Sequence, residues 1–333
     1  MADTVQTVRG PVNIADMGRT LIHEHLYVSI PGWEFEPALA NFDREAFVVE
    51  AVGKVKALKE YGVGTFVDPC PIELGRDVGL IAEISEKADM NVVCTTGFYF
   101  EEFGLPAYWR HQDAEDIAAH YIKEITQGID GTNIRAGAIK VATGEEVSDY
   151  ERKFASAAAM AQVETGVPII THTEKGCCGP DQQDIFAGGG VEMHNCVIGH
   201  SCGNPDPAYH KKIVDRGTYI GFDRVGYEMM HPDSLRADNL VKLIDAGHID
   251  QVMLSQDKFC YLAGVKGLPM TREEIVEVEK LMAEGVFPAP YTDIFTNFLP
   301  MLKERGVTDD QIDHILRVNP QRFFSGESFG ANA

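Results

Sequence analysis

The amino-acid sequence predicts an α/β protein with a (β/α)8 TIM barrel fold. From residue 20 onward, short apolar runs alternate with longer helical patterns, which is typical of repeated βα units around a parallel sheet. About eight such units follow one another without a linker or a low-complexity segment, as this barrel requires. We therefore expect one domain spanning residues 1–333. A doubly wound open sheet is the alternative, but no Gly-rich phosphate-binding turn follows the first predicted strand.

The individual elements follow from local sequence patterns. Strands are predicted at short apolar segments, 20–23, 64–68, 91–96, 136–141, 167–171, 195–199, 218–222 and 251–255. Helices are predicted between them, at 43–61, 76–88, 113–127, 148–164, 181–192, 207–216 and 233–246, and in a tail at 291–305 and 309–317. Gly62, Gly217 and Gly247 stand where helices would end, and Ser148 and Asp233 are predicted N-caps.

Composition excludes several classes of protein. The formal net charge of -22 opposes binding to nucleic acid, because neutralising phosphates requires clustered Lys and Arg. The N-terminus has no basic segment followed by an apolar core, and no apolar run approaches the length of a membrane span. The seven cysteines show no CxxC spacing and indicate reduced thiols rather than a disulfide framework. We expect a cytoplasmic protein that binds neither nucleic acid nor membranes.

His23 and His25 follow the first predicted strand and form its most informative feature. Residues i and i+2 of a strand face the same way, so both imidazoles can enter one site. Such a pair suits a metal ion, although two polar residues at a strand end are also an ordinary feature. The ends of the other strands decide between these interpretations.

Further polar residues occupy the C-terminal ends of the later strands, where catalytic groups of a TIM barrel project. They are Asp68, Lys140, His172, His200, Asp223, Arg224 and Asp257. Imidazoles and carboxylates suit zinc, iron, cobalt or manganese rather than calcium. With His23 and His25, the four His, Lys140 and Asp257 make six candidate ligands. Because one ion needs only three protein ligands, six indicate two divalent ions, with zinc as the expected metal.

Lys140 is the most unusual of these residues. It stands between Ile139 and Val141, where burial of an ammonium group requires pairing or neutralisation. One interpretation is a salt bridge to Asp68 or Asp257. The other is carboxylation of the amine by carbon dioxide, which gives an anionic carbamate able to bridge two metal ions.

These motifs together resemble those of the amidohydrolase superfamily and, within it, the phosphotriesterase family. The resemblance covers essentially the whole chain and rests on segments at 18–26, 139–141, 171–173, 198–201, 221–224, 254–257 and 319–324. It implies an amidohydrolase-like barrel with two ions bridged by N6-carboxylated Lys140 and a hydroxide. The implied metal ligands are His23, His25, Lys140 and Asp257 for the more buried ion, and Lys140, His172 and His200 for the second.

Within the family the sequence is similar to the phosphotriesterase-like lactonases. Tyr99 and Arg224 stand where the lactonases have Tyr and Arg, whereas the phosphotriesterases have Trp and a His of a proton relay. Gly203 stands where the phosphotriesterases place the relay carboxylate, and Asp206 cannot be assumed to replace it. The resemblance therefore favours a mechanism in which Asp257 alone moves the proton.

The resemblance implies a hydrolase that opens the rings of small-molecule lactones, either N-acyl homoserine lactones, as in quorum quenching, or alkyl γ- and δ-lactones. The bridging hydroxide would attack the carbonyl, Asp257 would transfer its proton, Tyr99 would orient the substrate, and Arg224 would anchor the pocket loops. Weak phosphotriesterase and arylesterase activities are expected beside it. Organophosphate hydrolysis as the main activity and a metal-binding barrel without turnover are the alternatives. The family also implies a homodimer.

Several segments near the predicted site carry two interpretations each. The loop at 258–290 would form an apolar channel for an acyl chain, but 271–285 is also compatible with an amphipathic surface helix. Residues 28–35 would form a dimer contact or a pocket wall. Asp68 would hydrogen-bond to a ligand or cap a helix. Cys260 would line the pocket, whereas the Cys177-Cys178 pair is expected to be incidental.

Overall fold

A sheet of eight parallel strands organises the computed structural model, which describes residues 2–36, 42–268, 270–284, 287 and 290–329. The strands are β1 (Thr4–Thr7), β2 (Gly10–Asn13), β3 (Arg19–Leu21), β4 (His25–Ser29), β5 (Val63–Asp68), β6 (Asn91–Gly97), β7 (Ala138–Thr143), β8 (Ile169–Thr173), β9 (Cys196–Ile198), β10 (Tyr219–Phe222), β11 (Val252–Leu254) and β12 (Phe259–Ala263). The helices are α1 (Arg44–Leu58), α2 (Val78–Ala88), α3 (Ala107–Arg110), α4 (Ala114–Thr126), α5 (Asp149–Thr165), α6 (Gly179–Gly188), α7 (Pro207–Val214), α8 (Asp233–Asp245), α9 (Arg272–Ala283), α10 (Leu299–Glu304), α11 (Asp309–Asp313) and α12 (Asn319–Ser325), with π-helical turns at Ile294–Phe298 and His314–Val318.

The order of the strands in the sheet is β3, β5, β6, β7, β8, β9, β10 and β11, and each neighbouring pair is parallel. The two outer strands meet through residues just beyond their ends. The N–H of Asp257 donates to the carbonyl of His23 at 3.0 Å, and Ser255 Oγ accepts the N–H of His23 at 3.0 Å. Strands β4 and β12 then pair in parallel, with His25 opposite Phe259. The predicted (β/α)8 barrel is confirmed.

Alternate residues of each strand face two different cores, because successive strand side chains point to opposite faces. Val67 belongs to the cluster that fills the barrel interior, whereas Phe66 packs in the layer between the sheet and the helices. Val5 of β1 and Phe323 of α12 join the interior cluster. The N–H of Val8 donates to the carbonyl of Val92 at 2.9 Å, so the N-terminal hairpin lies at the N-terminal ends of the strands. The C-terminal end of the barrel is not covered by this hairpin, and the predicted site residues lie there.

Most predicted strands and helices agree with the observed ones except for small shifts at their ends. Two differ more: the first predicted strand, 20–23, ends at Leu21, so His23 lies between β3 and β4, and the predicted helix at 309–317 continues through a π-helical turn and α12 to Ser325. Ser148 is confirmed as an N-cap and forms a complete capping box with Glu151. Asp233 as an N-cap was wrong, since Pro232 is the cap and Asp233 is the first residue of α8. The carboxylate of Asp233 instead accepts the N–H of Gly226 at 2.9 Å.

The structure also contains elements that the sequence did not predict. The hairpin β1–β2, the pair β4–β12 and the short helix α3 were all missed. Helix α9 begins with a capping box between Thr271 and Glu274, and Val278 is its buried residue. The surface-helix interpretation of 271–285 is therefore confirmed over the described residues, while residue 285 lies outside them. Within the described part of the chain, no helix is long and apolar enough to cross a bilayer.

Candidate metal centre

Five side chains converge at the C-terminal end of the barrel. Lys140 Nζ lies 3.1 Å from His23 Nε2. Asp257 Oδ1 lies 3.6 Å from His23 Nε2 and 3.2 Å from His25 Nε2, and Asp257 Oδ2 lies 3.7 Å from His200 Nε2. All five residues are buried. The ligand-type atoms of His23, His200 and Asp257 lie within 4.8 Å of one another, which is a separation that one ion can span.

His172 borders the same cluster from β8. Its ring lies edge-on to that of His200, with the centroids 4.6 Å apart. Its Nδ1 atom lies 3.1 Å from the hydroxyl of Tyr99, and its Nε2 atom lies 3.0 Å from Glu174 Oε2. The structure therefore brings together all six predicted metal-binding residues, with Tyr99 beside them.

Two buried aspartates hold the imidazole rings from behind. Asp68 Oδ1 lies 3.1 Å from His25 Nδ1, while its Oδ2 accepts the N–H of Leu26 at 3.0 Å. Asp223 Oδ1 lies 3.0 Å from His200 Nδ1, and Asp223 Oδ2 lies 3.3 Å from His23 Nδ1. Carboxylates in this position fix the ring orientation and leave the opposite nitrogen free for a metal ion. Of the two interpretations of Asp68, the hydrogen bond to a predicted ligand is confirmed.

The backbone adopts unusual conformations at two of these residues. His200 and Asp257 have φ values of 57° and 53°, in the left-handed region that non-glycine residues rarely occupy. Each such residue is unfavourable by about 1–3 kcal/mol and persists only where the surroundings impose it. Asp223 accepts the N–H of His200 at 2.7 Å, and the carbonyl of His23 accepts the N–H of Asp257 at 3.0 Å. These contacts hold both strained residues in the site.

Burial sets the protonation of the histidines. It lowers the pKa of His23 and that of His172 to about 4, and it lowers the pKa of His200 well below its ordinary value. Burial acts in the same direction on His25, but hydrogen bonds to two carboxylates raise the pKa of this residue well above its usual range. The first three rings are therefore neutral near neutral pH, which is the form that binds metal ions.

Lys140 is 1% exposed, and burial lowers its pKa to about 8. Among the described residues, no carboxylate oxygen forms an ion pair with its Nζ atom, so the predicted salt bridge to Asp68 or Asp257 was wrong. The neighbouring Gly97 has φ 117°, and a Cβ atom there would lie 2.1 Å from the carbonyl oxygen of Lys140. Only glycine allows β6 to approach Lys140 so closely. The donor set and the amine of lowered pKa fit a metal centre completed by a lysine carbamate.

The other predicted residues have distinct environments. Arg224 Nε donates to Asp257 Oδ2 at 2.8 Å, so Arg224 contacts a predicted catalytic residue directly. Burial raises the pKa of Asp257, but His200, Arg224 and His23 outweigh it and hold the value well below its usual range. Asp206 caps α7 by accepting the N–H of Ala208 at 2.9 Å, so its carboxylate serves the helix.

Cys260 and the loops nearby line two cavities. Cys260 borders a cavity of about 480 Å³ between α1 and the loop after β12. None of the contacts described above for the metal cluster involves Cys260. A cavity of about 630 Å³ is lined on one side by Ile30 and Trp33 and on the other by Leu262 and Val265. Residues 30–33 thus border a cavity whose lining includes none of the metal-cluster residues, and the two interpretations of residues 28–35, a dimer contact and a pocket wall, stay predictions.

Comparison with known proteins identifies the family. The sequence pattern of the phosphotriesterase family matches residues 3–324. A phosphotriesterase homology protein from Mycobacterium tuberculosis is 34% identical over 329 residues, which cover 96% of this chain and 97% of that protein. An aryldialkylphosphatase from Saccharolobus solfataricus is 35% identical over 313 residues, which cover 93% of this chain and 96% of that protein. The crystal structure of a mutant phosphotriesterase-like lactonase from Deinococcus radiodurans is similar with a TM-score of 0.87 at 36% identity, covering 96% of this chain and 100% of that one.

This chain belongs to the phosphotriesterase family. Phosphotriesterase-family proteins are metal-dependent hydrolases of ester bonds with binuclear centres, so the predictions of family and of enzyme class are confirmed. The relatives named above include one called a phosphatase of aryldialkyl esters and one called a lactonase. Membership in the phosphotriesterase family therefore establishes that the protein is a hydrolase. Its preference for lactone or organophosphate substrates has to be argued from the residues of the site.

Proposed function

We propose that this protein is a lactonase that uses two divalent ions. The observation that carries the proposal is the placement of its two lactonase-type residues. Tyr99 has its hydroxyl 3.1 Å from His172 Nδ1, and Arg224 donates to Asp257 at 2.8 Å. Phosphotriesterases proper have Trp and a relay His at these positions. Trp has no hydroxyl to contact His172, and His has no guanidinium to donate to Asp257.

The proposed ligands divide into two overlapping sets. The more buried ion would be held by His23, His25, carboxylated Lys140 and Asp257, and the second by carboxylated Lys140, His172 and His200. Zinc is the expected metal, and iron, cobalt and manganese suit the same donors. When bound, the ions would lower the pKa of a coordinated water and polarise the substrate carbonyl.

The carbamate on Lys140 would form by addition of carbon dioxide to the neutral amine. A new N–C bond forms as one C=O π bond of carbon dioxide opens to leave the negative charge on oxygen, and one proton leaves the nitrogen for water. Burial favours this reaction because it lowers the pKa of Lys140 to about 8 and so increases the neutral fraction near neutral pH. The product carries two oxygens and a negative charge, which the two divalent ions would balance.

Asp257 would move the proton during ring opening. Its Oδ1 faces His23 and His25, while its Oδ2 accepts a hydrogen bond from Arg224. A carboxylate held in this way can take a proton from the attacking water and deliver it to the alkoxide that leaves the lactone carbonyl. The hydroxyl of Tyr99 would orient the lactone by hydrogen bonding to the carbonyl or to the ring oxygen.

The substrate would carry an apolar chain. The cavity of about 630 Å³ next to β4 and β12 is lined by apolar side chains that include Trp33, Leu262 and Val265, and by the charged side chains of Glu36, Lys266 and Glu279. An acyl or alkyl chain would pack against the apolar part of this lining, because burying apolar surface is favourable by about 25 cal/mol per Å². We therefore propose N-acyl homoserine lactones or alkyl γ- and δ-lactones as the substrate class.

Organophosphate hydrolysis is the second candidate, and the likeness to the Saccharolobus aryldialkylphosphatase supports it. A panel of homoserine lactones, simple γ- and δ-lactones, aryl esters and paraoxon decides between the two. We expect the highest kcat/KM for a lactone, weak activity on paraoxon and aryl esters, and loss of all activities on chelation. A higher kcat/KM for paraoxon than for every lactone would contradict the proposal. Absence of turnover despite bound metal would favour a non-catalytic metal-binding barrel.

Two variants make this panel more selective. Tyr99→Trp should lower kcat/KM for lactones and raise the ratio of paraoxon to lactone turnover. Tyr108→Trp is the matched control, because Tyr108 is an exposed residue of α3. His172→Ala should lose lactone turnover even when metal is supplied again, and full turnover with full metal content in this variant would contradict the mechanism.

Three further predictions belong to the same proposal. The whole chain, 1–333, is proposed to form one hydrolase domain, and the single eight-stranded sheet supports this. A homodimer and a cytoplasmic location remain predictions from the family and the composition. Sedimentation of the purified protein tests the first of these two, and fractionation of the source cells tests the second.

A further inference from the structure

Glu174 contacts His172 on the side of the ring that faces away from Tyr99. Glu174 Oε2 lies 3.0 Å from His172 Nε2, and the hydroxyl of Tyr99 lies 3.1 Å from His172 Nδ1. The histidine side chain is 1% exposed and that of Glu174 is 23% exposed. The two nitrogens of one buried ring therefore have separate partners.

Packing fixes the orientation of the His172 ring. The ring of Phe100 stacks on it at an interplanar angle of 19° and a centroid distance of 5.2 Å, and His200 lies edge-on at 4.6 Å. Gln182 Nε2 donates to the carbonyl of His172 at 2.8 Å and so holds the backbone. With the ring held between these groups, the remaining variable is which of its two nitrogens carries the hydrogen.

The position of Glu174 is fixed as well. It begins a tight turn, 174–176, in which Lys175 has φ 51°. Asn204 Nδ2 donates to the carbonyl of Gly176 at 3.2 Å and ties this turn to the loop after β9. Lys175 Nζ pairs with Glu145 at 2.5 Å, so the neighbouring cation points to another carboxylate. The Glu174 side chain is therefore available to His172.

The four contacts of Asp68, Asp223 and Glu174 with the histidines of the cluster follow two patterns. Asp68 contacts Nδ1 of His25, and Asp223 contacts Nδ1 of both His200 and His23, which leaves Nε2 of all three rings toward Asp257. Glu174 instead contacts Nε2 of its histidine and leaves Nδ1 toward the Tyr99 hydroxyl.

We propose that Glu174 is a positioning residue that selects the tautomer of His172. A carboxylate oxygen accepts a hydrogen bond, and a neutral imidazole carries one N–H. Glu174 thus places the hydrogen on Nε2 and leaves the lone pair of Nδ1 for the second ion, which would replace the Tyr99 hydroxyl as the partner of Nδ1. The inference rests on the proposed two-ion centre and assigns to this chain's Glu174 the task that Asp68 and Asp223 perform for the other rings.

The test is metal binding by Glu174→Ala and Glu174→Gln, with Glu145→Gln as the matched control. Glu145 lies on the neighbouring loop, is 55% exposed and contacts Lys175 rather than a histidine. Protein freed of metal by chelation is titrated with Co²⁺ by calorimetry and by visible absorption. We expect two equivalents in the wild type, with the second binding about 10–100-fold more weakly in Glu174→Ala and the first unchanged. The absorption of the second Co²⁺ should also change, and Glu174→Asp should restore part of the affinity.

Two results would overturn the inference in distinguishable ways. If the wild type binds two ions and both Glu174 variants bind them with wild-type affinity and spectrum, Glu174 does not position His172 and the proposed function stands. If the wild type takes only one ion, the two-ion proposal itself fails and the inference fails with it. Circular dichroism checks that each variant is folded. Glu174→Gln keeps an amide oxygen that can accept the hydrogen of Nε2, so we expect it to keep part of the affinity. Glu174→Leu has no acceptor and decides the question if Glu174→Ala does not fold.

Discussion

The carboxylate of Glu24 accepts the backbone N–H of Lys258 at 3.0 Å. The same side chain accepts the N–H of Gln256 at 2.9 Å and the hydroxyl of Ser255 at 2.7 Å, and it is fully buried. The four residues 255–258 include Asp257 in its left-handed conformation. The glutamate between the two predicted metal-binding histidines therefore ties the last strand of the barrel to the first.

Glu24→Ala should destabilise the protein strongly. The change leaves the three donors without an acceptor in a buried site, and each unpaired donor costs about 1–3 kcal/mol. We expect the free energy of unfolding in urea to fall by at least about 3 kcal/mol. Glu45→Ala, which removes an exposed carboxylate from the first turn of α1, is the control and should change it by less than about 0.5 kcal/mol. Equal changes in the free energy of unfolding for the two substitutions would show that the hydrogen bonds of Glu24 do not stabilise the fold.

Arg76 and Glu124 form a buried ion pair in the outer layer. The two guanidinium nitrogens lie 2.6 and 2.7 Å from the two carboxylate oxygens, and both side chains are at most 5% exposed. Glu124→Ala should lower the free energy of unfolding by about 3–5 kcal/mol, because among the described residues it leaves the buried guanidinium of Arg76 with only the exposed Asp130, at 4.0 Å, as a carboxylate partner. The double variant Arg76→Met, Glu124→Met should be clearly more stable than Glu124→Ala. A double variant that is less stable than the single one would contradict this account.

Glu73 should make stability depend on pH. Burial raises its pKa from 4.5 to about 7, against the hydrogen bond from the N–H of Tyr99. The folded state therefore binds the proton more tightly than the unfolded state, and this contribution to stability is present below pH 4.5 and is lost as the pH rises to about 7. Relative to Glu73→Gln, the wild type should lose on the order of 1–3 kcal/mol between pH 5 and pH 8. Urea unfolding of the metal-free proteins measures this, and identical pH profiles would refute it.

Much of the fold and the ligand cluster could be predicted because the parallel strands of a barrel all end at the same edge, where the residues that follow them lie close together. His172 is paired with Ala142 two residues beyond Lys140, so residues distant in sequence reach the same end of the sheet. The alternation of apolar residues determines which side chains face the interior. Lys140 was recognisable because a charged residue within an apolar strand is rare unless it has a partner or a chemical role.

The supporting contacts were not predictable from local patterns. Asp223 was recognised as polar at a strand end, but its contacts with the N–H and the ring of His200 depend on the left-handed backbone conformation of His200. Glycine is the usual sequence signal for that conformation, and this position has none. Glu174 is one of many surface-type carboxylates in an acidic chain, and only its distance to His172 distinguishes it. The pair β4–β12 was missed because it forms beyond the barrel strands, where no repeat predicts a partner.

The central claim is that Lys140, as a carbamate, joins two divalent ions that lactone hydrolysis requires. The most direct measurement is metal content together with γ-lactone turnover, after reconstitution with zinc and ¹³C-bicarbonate, for the wild type, Lys140→Met and the exposed control Lys123→Met. We predict two ions, a ¹³C carbamate signal and turnover in the wild type and in Lys123→Met. In Lys140→Met we predict at most one ion, no carbamate signal and at least about 100-fold lower turnover. Two ions and undiminished lactone turnover in Lys140→Met would contradict the claim.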